Sequence, residues 1–384
     1  MSVTLKGGMQ TSNNEGIMEK NVFSKRAQTV EMSGIRKFFQ KARPDSINLG
    51  IGQPDFPTPE HIKNAGIKAI ENNLTGYTFN SGVPELRHAL SEKFKRENGL
   101  LYTEEQIIVT AGAGEALFIA MQSLVDNGDV VLYQDPGFVS YKECAVLSGG
   151  KPKGISLDEN LHIDVEKCKK DLDSAKVIVL NTPGNPTGAV ESEETIKAVS
   201  EYAEDAGVTV ISDEVYEHFI YEKKHYSAAN YSENVMTINA ASKTFSMTGW
   251  RLGFIAGPES YIEQCLKVHQ YCQTCASSVS QYAALAAYTG SMECVYEMKA
   301  EYAKRRELLY NGLKDLGFDF PKPDGAFYMF VPMDKQMFEK IIDAGVVAIP
   351  GDAFGENAKD YARFSYAASR ENISEALKRM KSVI

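Results

Sequence analysis

Short runs of apolar residues alternate with amphipathic segments between Gln106 and Ala256. The runs are four or five residues long, and β-branched residues are frequent in them, which is typical of strands covered by helices on both faces. The segments between the runs place apolar residues at helical spacing. The runs are Ile107–Thr110, Val130–Tyr133, Val177–Leu180, Val208–Ser212, Val235–Asn239 and Gly253–Ala256. This alternation predicts an α/β domain with a mostly parallel central sheet sandwiched by helices.

The pattern changes after Gly290. A long charged segment predicts a helix, three apolar runs predict strands, and an amphipathic segment ends the chain. These elements are Val295–Leu316, Phe327–Val331, Val346–Pro350, Tyr361–Tyr366 and residues 373–384. We expect a flexible N-terminal arm (1–22), a large domain (61–294), and a smaller α+β domain (23–60 and 295–384).

Composition narrows the class of protein. A chain of 384 residues favours two domains over one compact core. An excess of 51 acidic over 41 basic side chains disfavours nucleic-acid and anionic-membrane partners, because both need a basic surface. No apolar run has the length of a membrane span, and the polar N-terminus does not resemble a secretory signal. These features predict a cytoplasmic protein.

Six cysteines in a chain of this size do not indicate a disulfide scaffold. Cys265, His269, Cys272 and Cys275 recur at helical spacing, which leaves a metal or redox role as an alternative to ordinary packing. Structural zinc sites usually draw ligands from a turn plus another element. Packing is therefore favoured, and we predict no metal site.

Polar motifs follow the predicted strands, where open α/β sheets form their sites. In TAGAGEALF, the amides of Gly112, Ala113 and Gly114 are expected at a helix N-terminus, which can bind an anion; a plain turn is the alternative. NTPGNPTG contains Asn185, which could hold a ligand oxygen. Turn chemistry alone would explain the prolines and glycines of that motif.

Two further motifs carry ionisable groups. Asp213 follows a strand run and could either cap a helix or face a protonated pyridine nitrogen, with Tyr216 near a phenolate oxygen. Lys243, in SKTFSMTGWRLG, is a surface charge or a desolvated nucleophile. Arg251 lies eight positions after Lys243, so it could reach a phosphate bound near Lys243.

Two other side chains complete the set of candidates. Phe138, in DPGF, could stack on an aromatic ring. Arg363 alternates with apolar residues in YARFSY, so it is expected on one face of a strand. Its guanidinium suits bidentate capture of a carboxylate, either of a substrate or in a structural ion pair.

In their order along the chain, these motifs resemble those of the fold-type I, class I aminotransferases that depend on pyridoxal 5'-phosphate (PLP). The aspartate aminotransferase-like branch is the most similar. The resemblance includes NLGIGQPDFPTP, YTFNSGVPELR, NTPGNPTG, SDEVY, SKTFSMTGWRLG and ARFSY, and runs from about Phe23 to the C-terminus. It implies the PLP-transferase fold type I, PLP as cofactor and a homodimer.

The resemblance also implies roles for the residues that match its motifs. Lys243 is expected to form the Schiff base with PLP and to move the substrate proton. Asp213 is expected to pair with the pyridinium nitrogen, and Asn185 and Tyr216 to contact the ring hydroxyl. Phe138 is expected to stack on the ring.

The phosphate is expected to contact Arg251 and the turn at Gly112, Ala113 and Gly114. Ala240 stands where the family often has a serine that contacts the phosphate, and Ser242 is a candidate substitute.

Tyr77 is expected to reach the cofactor of the other subunit. The substrate α-carboxylate is expected at Arg363, with Asn185 and the backbone at Gly52. Ser33 is the one polar residue of a segment expected to close over the substrate side chain.

The implied reaction is a ping-pong transfer of an amino group from an L-amino acid to a 2-oxo acid, with aspartate and 2-oxoglutarate as the first pair. Aromatic amino acids are the runner-up, and a PLP-dependent β-C–S lyase on the same fold is a further alternative. A PLP-binding regulator is disfavoured, because such proteins carry a DNA-binding domain and the short N-terminal segment here is not expected to have room for one. We also expect closure of residues 23–40 over the substrate and cis peptide bonds at Asp135-Pro136 and Asn185-Pro186.

Overall fold

The computed structural model describes residues 22–32, 34 and 43–384, so almost all of the predicted N-terminal arm lies outside the described residues. The α-helices are α1 Lys25–Thr29, α2 Glu60–Glu71, α3 Pro84–Lys93, α4 Ala113–Leu124, α5 Ser140–Leu147, α6 Val165–Leu172, α7 Glu193–Asp205, α8 Ala241–Thr244, α9 Glu259–Cys272, α10 Ser278–Thr289, α11 Glu293–Asp315, α12 Lys335–Asp343 and α13 Arg370–Lys381.

The strands are β1 Ile47–Asn48, β2 Ile107–Thr110, β3 Val130–Asp135, β4 Lys151–Ser156, β5 Val177–Asn181, β6 Thr209–Asp213, β7 Val235–Ala240, β8 Gly253–Ala256, β9 Tyr328–Pro332, β10 Val346–Val347, β11 Ile349–Pro350 and β12 Tyr361–Ser365. A π-helix, Phe94–Asn98, continues α3, and short 3₁₀ segments lie in several loops.

A seven-stranded sheet forms the centre of the large part of the molecule, in the order β2-β8-β7-β6-β5-β3-β4. The pairs from β7 through β4 are parallel, and β8 is antiparallel to both of its neighbours. All six predicted runs are strands of this sheet, which confirms the prediction of a mostly parallel sheet. The edge strand β4 was not predicted, because its residues (KPKGIS) are mostly polar and only Ile155 is buried.

Alternate residues of the central strands pack into different layers. In β5, Val177 and Val179 belong to one buried cluster, and Ile178 and Leu180 belong to another. Because successive side chains of a strand point to opposite faces, helices cover the sheet on both sides. This arrangement explains why the run is apolar at every position.

The last ninety or so residues build a smaller unit, as the change of pattern predicts. Strands β11, β12 and β9 form an antiparallel sheet, and β1 pairs in parallel with β10. The single strand predicted at Val346–Pro350 is two short strands interrupted at Ala348. The bounds of the two predicted domains stay a prediction. Among the described helices, none combines the length and apolar character needed to cross a bilayer.

A buried ion pair joins α3 to the segment that follows β6. The ammonium of Lys93, a side chain only 1% exposed, contacts the Glu217 carboxylate and lies 2.8 Å from Asn98 Oδ1. Asn239 at the end of β7 donates to Glu217 Oε1 at 2.6 Å. Burial alone would raise the pKa of Glu217, but the charges of Lys93 and His218 hold the pKa well below its usual range.

We expect Lys93→Met to lower the free energy of unfolding by about 3–5 kcal/mol, because the change leaves the Glu217 carboxylate buried without a cation. Urea denaturation measures the loss. The matched control is Lys63→Met, which removes the partner of the exposed Glu60 and should change stability by about 0.5 kcal/mol or less. Equal effects of the two substitutions would contradict the expectation.

Candidate active site

The polar motifs meet at one edge of the central sheet. Parallel strands end at the same edge, and the antiparallel β8 begins there. The register shows this directly, since Asp213 is paired with Asn181 on one side and with Ile238 on the other, while Ala240 is opposite Gly253. Segments that are far apart in the sequence therefore surround one cavity.

This cavity, which we call the central cavity, has a volume of about 400 Å³. Its lining includes most of the residues predicted for the site, namely Gly52, Ala113, Gly114, Phe138, Asn185, Asp213, Tyr216, Ser242, Lys243, Arg251 and Arg363. Three predicted residues are not in the lining. Gly112 lies directly behind it against Arg251, Tyr77 is 90% exposed on the surface, and Ser33 lies outside the described residues.

Lys243 lies in the short helix α8, directly after β7. Its Nζ donates to the Gly52 carbonyl at 2.6 Å and lies 5.7 Å from the centre of the Tyr216 ring. Burial, together with the nearby positive charge of Arg363, lowers the pKa of Lys243 to about 8, against the opposing effect of Asp213. A lysine with this pKa is unprotonated in a much larger fraction at neutral pH than a surface lysine, which favours nucleophilic and base chemistry.

Asp213 ends β6 with its side chain buried. Tyr141 donates its hydroxyl to Asp213 Oδ2 at 2.8 Å, and Asn181 Nδ2 donates to the Asp213 carbonyl at 3.0 Å. Burial raises the pKa of Asp213 to about 6, and the hydrogen bond from Tyr141 opposes that rise. A cationic ligand beside this carboxylate would favour its ionised form.

Arg363 is buried on β12 between aromatic rings. Its Nη1 donates to Asn185 Oδ1 at 2.8 Å and its Nη2 to the Gly50 carbonyl at 2.6 Å, while the guanidinium lies 4.4 Å from the centre of the Tyr328 ring. These partners are neutral, and Nε is buried without a hydrogen bond. Burial lowers the pKa of Arg363. A buried cation held by neutral groups suits an anionic ligand better than a structural ion pair.

Arg251 faces the turn before α4. Its Nη2 donates to the Ala111 carbonyl at 3.2 Å, and a Cβ on Gly112 would lie 2.6 Å from that nitrogen. Gly112 has a φ of +88°, and α4 begins at the next residue without a side-chain cap. Free amides at a helix N-terminus beside a guanidinium form an anion site.

Sequence reasoning missed two tyrosines that shape the central cavity. Tyr141 holds Asp213, and the Tyr328 hydroxyl lies 2.8 Å from the Tyr216 hydroxyl. A Cβ at Gly52 would lie 2.5 Å from the Tyr328 hydroxyl, so glycine is required there. Tyr141 is the third residue after Phe138, in the turn that begins α5, and this local proximity was the only available signal.

Both predicted cis peptide bonds, Asp135-Pro136 and Asn185-Pro186, are confirmed. A third, Thr182-Pro183, was not predicted. The closure expected for residues 23–40 stays a prediction, because residues 33 and 35–42 lie outside the described part of the chain.

The cysteine and histidine cluster is divided between different surroundings. Cys265 is buried with its Sγ 3.8 Å from Met236 Sδ, Cys272 is exposed, and His269 Nδ1 lies 2.7 Å from Glu115 Oε1. Elsewhere among the described residues, atoms suited to bind a metal converge in two groups of Glu and His side chains. Both groups contain Glu217, whose carboxylate already contacts the Lys93 ammonium.

Comparison with known proteins agrees with the geometry. The model of the family "Aminotransferase class I and II" matches residues 44–380. The chain is 45% identical over 374 residues to the "Probable aspartate aminotransferase" of Methanocaldococcus jannaschii. The match covers 94% of this chain and 100% of that protein. It is 39% identical over 380 residues to "Aromatic-amino-acid aminotransferase 2" of Thermococcus litoralis, at 94% and 98% coverage.

A solved structure of the Thermus thermophilus aspartate aminotransferase with maleate superposes with a TM-score of 0.91. The two sequences are 36% identical, and the match covers 94% of this chain and 99% of that chain. The chain therefore belongs to the class I and II aminotransferase family, in its aspartate aminotransferase-like subfamily.

Proposed function

We propose that this chain transfers the amino group of an L-amino acid to a 2-oxo acid by a ping-pong reaction, with L-aspartate and 2-oxoglutarate as the first pair. The observation that carries the proposal is the burial of Arg363 among neutral partners in the same cavity as Lys243. Amino acids and 2-oxo acids share the α-carboxylate that such a guanidinium binds. Relatives named as aspartate aminotransferases support the choice of aspartate.

The residues of the central cavity fit PLP, the cofactor on which this family depends. PLP needs an amine for its aldehyde, an anion site for its phosphate and a carboxylate for its ring nitrogen. Lys243 offers the amine, the turn at Gly112 with Arg251 offers the anion site, and Asp213 offers the carboxylate. We assign these three roles on the chemistry of the groups and on their position around one cavity.

Each charged residue then has one task in the reaction. When bound, PLP supplies an electron sink that stabilises negative charge at the substrate Cα. Lys243 Nζ, whose lowered pKa makes its unprotonated form more accessible, removes the proton from Cα as a general base. Asp213, held by Tyr141, keeps a negative charge at the ring nitrogen. Arg363 binds the α-carboxylate of both substrates in turn.

Aromatic substrates are the second candidate, and the lining of the central cavity favours them. Among the described residues of that lining, the cations are Lys243, Arg251 and Arg363, and each already has a task. The second carboxylate of aspartate therefore lacks a cation of its own there. A neighbouring cavity of about 590 Å³ shares Phe138 and Ser140 with the first, and its lining combines apolar residues such as Met32 and Leu147 with charged ones that include Lys142 and Lys359.

We further propose that the active unit is a homodimer in which Tyr77 reaches the cofactor of the partner. Tyr77 is 90% exposed and is not in the lining of its own central cavity. Exposed apolar residues surround it in the sequence, with Ile70 at 57% and Phe79 at 68% exposure. Exposed large apolar side chains this close together in the chain support a contact surface in this region.

The first prediction concerns the half-reactions. The visible absorption of the PLP-loaded protein should change when L-aspartate is added and return when 2-oxoglutarate follows. A response to tyrosine or phenylalanine alone would move the specificity to aromatic substrates. Release of pyruvate and ammonia without an acceptor would indicate the lyase instead.

Lys243→Arg should lower turnover by at least about 100-fold, because it removes the base. The control, Lys197→Arg on the exposed face of α7, should leave turnover unchanged.

The second prediction concerns Arg363. Arg363→Lys keeps the charge and loses one of two hydrogen bonds to the α-carboxylate, so kcat/KM should fall roughly 10- to 100-fold for amino acid and 2-oxo acid alike. Affinity for PLP should not change. Arg379→Lys, on α13, is the matched control. A loss confined to one of the two substrates would contradict a shared carboxylate site.

The third prediction tests the dimer. Tyr77→Ala should weaken PLP binding roughly 10-fold or more, because it removes a hydrogen bond to a charged group. Mixing this variant with Lys243→Ala should restore a high-affinity site in mixed dimers, since one site then receives Lys243 from one chain and Tyr77 from the other. No restoration after subunit exchange would place Tyr77 outside the partner's site.

A further inference from the structure

A buried pair of side chains, Glu115 and His269, lies behind the anion site. Glu115 is in the first turn of α4 and His269 is on α9. The His269 side chain is fully buried, Glu115 is 9% exposed, and His269 Nδ1 lies 2.7 Å from Glu115 Oε1. An ionised carboxylate only accepts hydrogen bonds, so Nδ1 carries the proton of this contact. The other ring nitrogen, Nε2, is buried without a partner.

The second oxygen of Glu115 holds the backbone of the turn. Glu115 Oε2 accepts from the Ala111 amide at 2.5 Å, and the Ala111 carbonyl accepts from Arg251 Nη2 at 3.2 Å. Both polar groups of residue 111 are thus bound by charged side chains. The next residue is Gly112, with its positive φ, and the one after it begins α4.

We propose that Glu115 and His269 are positioning residues for the phosphate-binding turn, which comprises Ala111–Gly114. The inference rests on the proposed function and extends it to residues that do not touch the cofactor. His269 orients the Glu115 carboxylate, the carboxylate fixes the Ala111 peptide, and the amides of Ala113 and Gly114 are thereby presented to the phosphate.

The orientation of Glu115 matters because of its place in the helix. A carboxylate in the first turn is attracted to the free amides of the N-terminus. A Glu115 side chain released from His269 would compete with the phosphate for those amides and would repel its charge. The contact with His269 directs both oxygens of Glu115 away from this competition, one toward α9 and the other toward Ala111.

Two substitutions at residue 269 separate positioning from simple packing. The side-chain nitrogen of asparagine can take the place of Nδ1, so His269→Asn keeps the donor to Glu115. His269→Leu fills similar space and has no donor. Glu115→Ala removes the acceptor from the other side of the pair and provides an independent variant if the leucine variant does not fold.

The experiment measures dissociation constants of the PLP-free protein for PLP, for pyridoxal, which lacks the phosphate, and for inorganic phosphate. His269→Leu and Glu115→Ala should each weaken the binding of PLP and of inorganic phosphate roughly 10- to 100-fold, as expected for the loss of an oriented contact to a charged group. Affinity for pyridoxal should stay within about twofold, and His269→Asn should recover most of the lost PLP affinity. The double variant should lose little more than either single one, because the two residues act as a unit.

The outcomes distinguish this inference from the proposed function. Equal weakening of PLP and pyridoxal, or failure of His269→Asn to recover affinity, would overturn the positioning role and leave only a packing contact. If the wild-type protein binds inorganic phosphate but neither PLP nor pyridoxal, the cofactor assignment fails. The phosphate constants of the variants then still decide the positioning role.

Discussion

Charged groups that leave water must find partners or change their protonation state. The central cavity holds Lys243, Asp213 and Arg363 under this constraint, and each responds differently. Lys243 moves toward its neutral form, Asp213 toward its protonated form, and Arg363 is held by amide and carbonyl oxygens and by aromatic rings. In the proposed reaction Lys243 acts without its proton, a cationic ring nitrogen beside Asp213 would favour the ionised carboxylate, and Arg363 binds a carboxylate.

The sheet brings Lys243 and Asp213 together because the segments that carry them lie at the ends of its strands. Six of the seven strands end at one edge and the antiparallel β8 begins there, so the segments at the ends of β2, β3, β5, β6 and β7 reach the same cavity. Arg363 comes from the smaller sheet, on β12, and meets Asn185 from the central sheet at 2.8 Å. Under the role proposed for Arg363, the substrate carboxylate would lie where the two sheets meet.

Behind the cavity, pairs of buried polar groups hold the segments that line it. Glu217 follows Tyr216 in the sequence and is bound to Lys93 and Asn239, while Glu115 and His269 hold the turn beside Arg251. Neither pair is in the lining of the cavity. Their common feature is that a side chain next to a residue of the cavity lining is fixed by a partner from a distant part of the chain.

The sequence by itself determined the sheet strands and most of the lining of the cavity. Apolar runs with turn motifs at their ends are local patterns, and the edge of a parallel sheet gathers whatever follows its strands. Only the tertiary structure decided the partners that come from distant segments, such as Tyr141 for Asp213, Tyr328 for Tyr216 and His269 for Glu115. The polar edge strand β4 was missed for the same kind of reason, since it becomes a strand by pairing with β3 rather than by its own apolar pattern. Long-range pairing and burial depend on the packing of the whole chain, and no local pattern of residues specifies them.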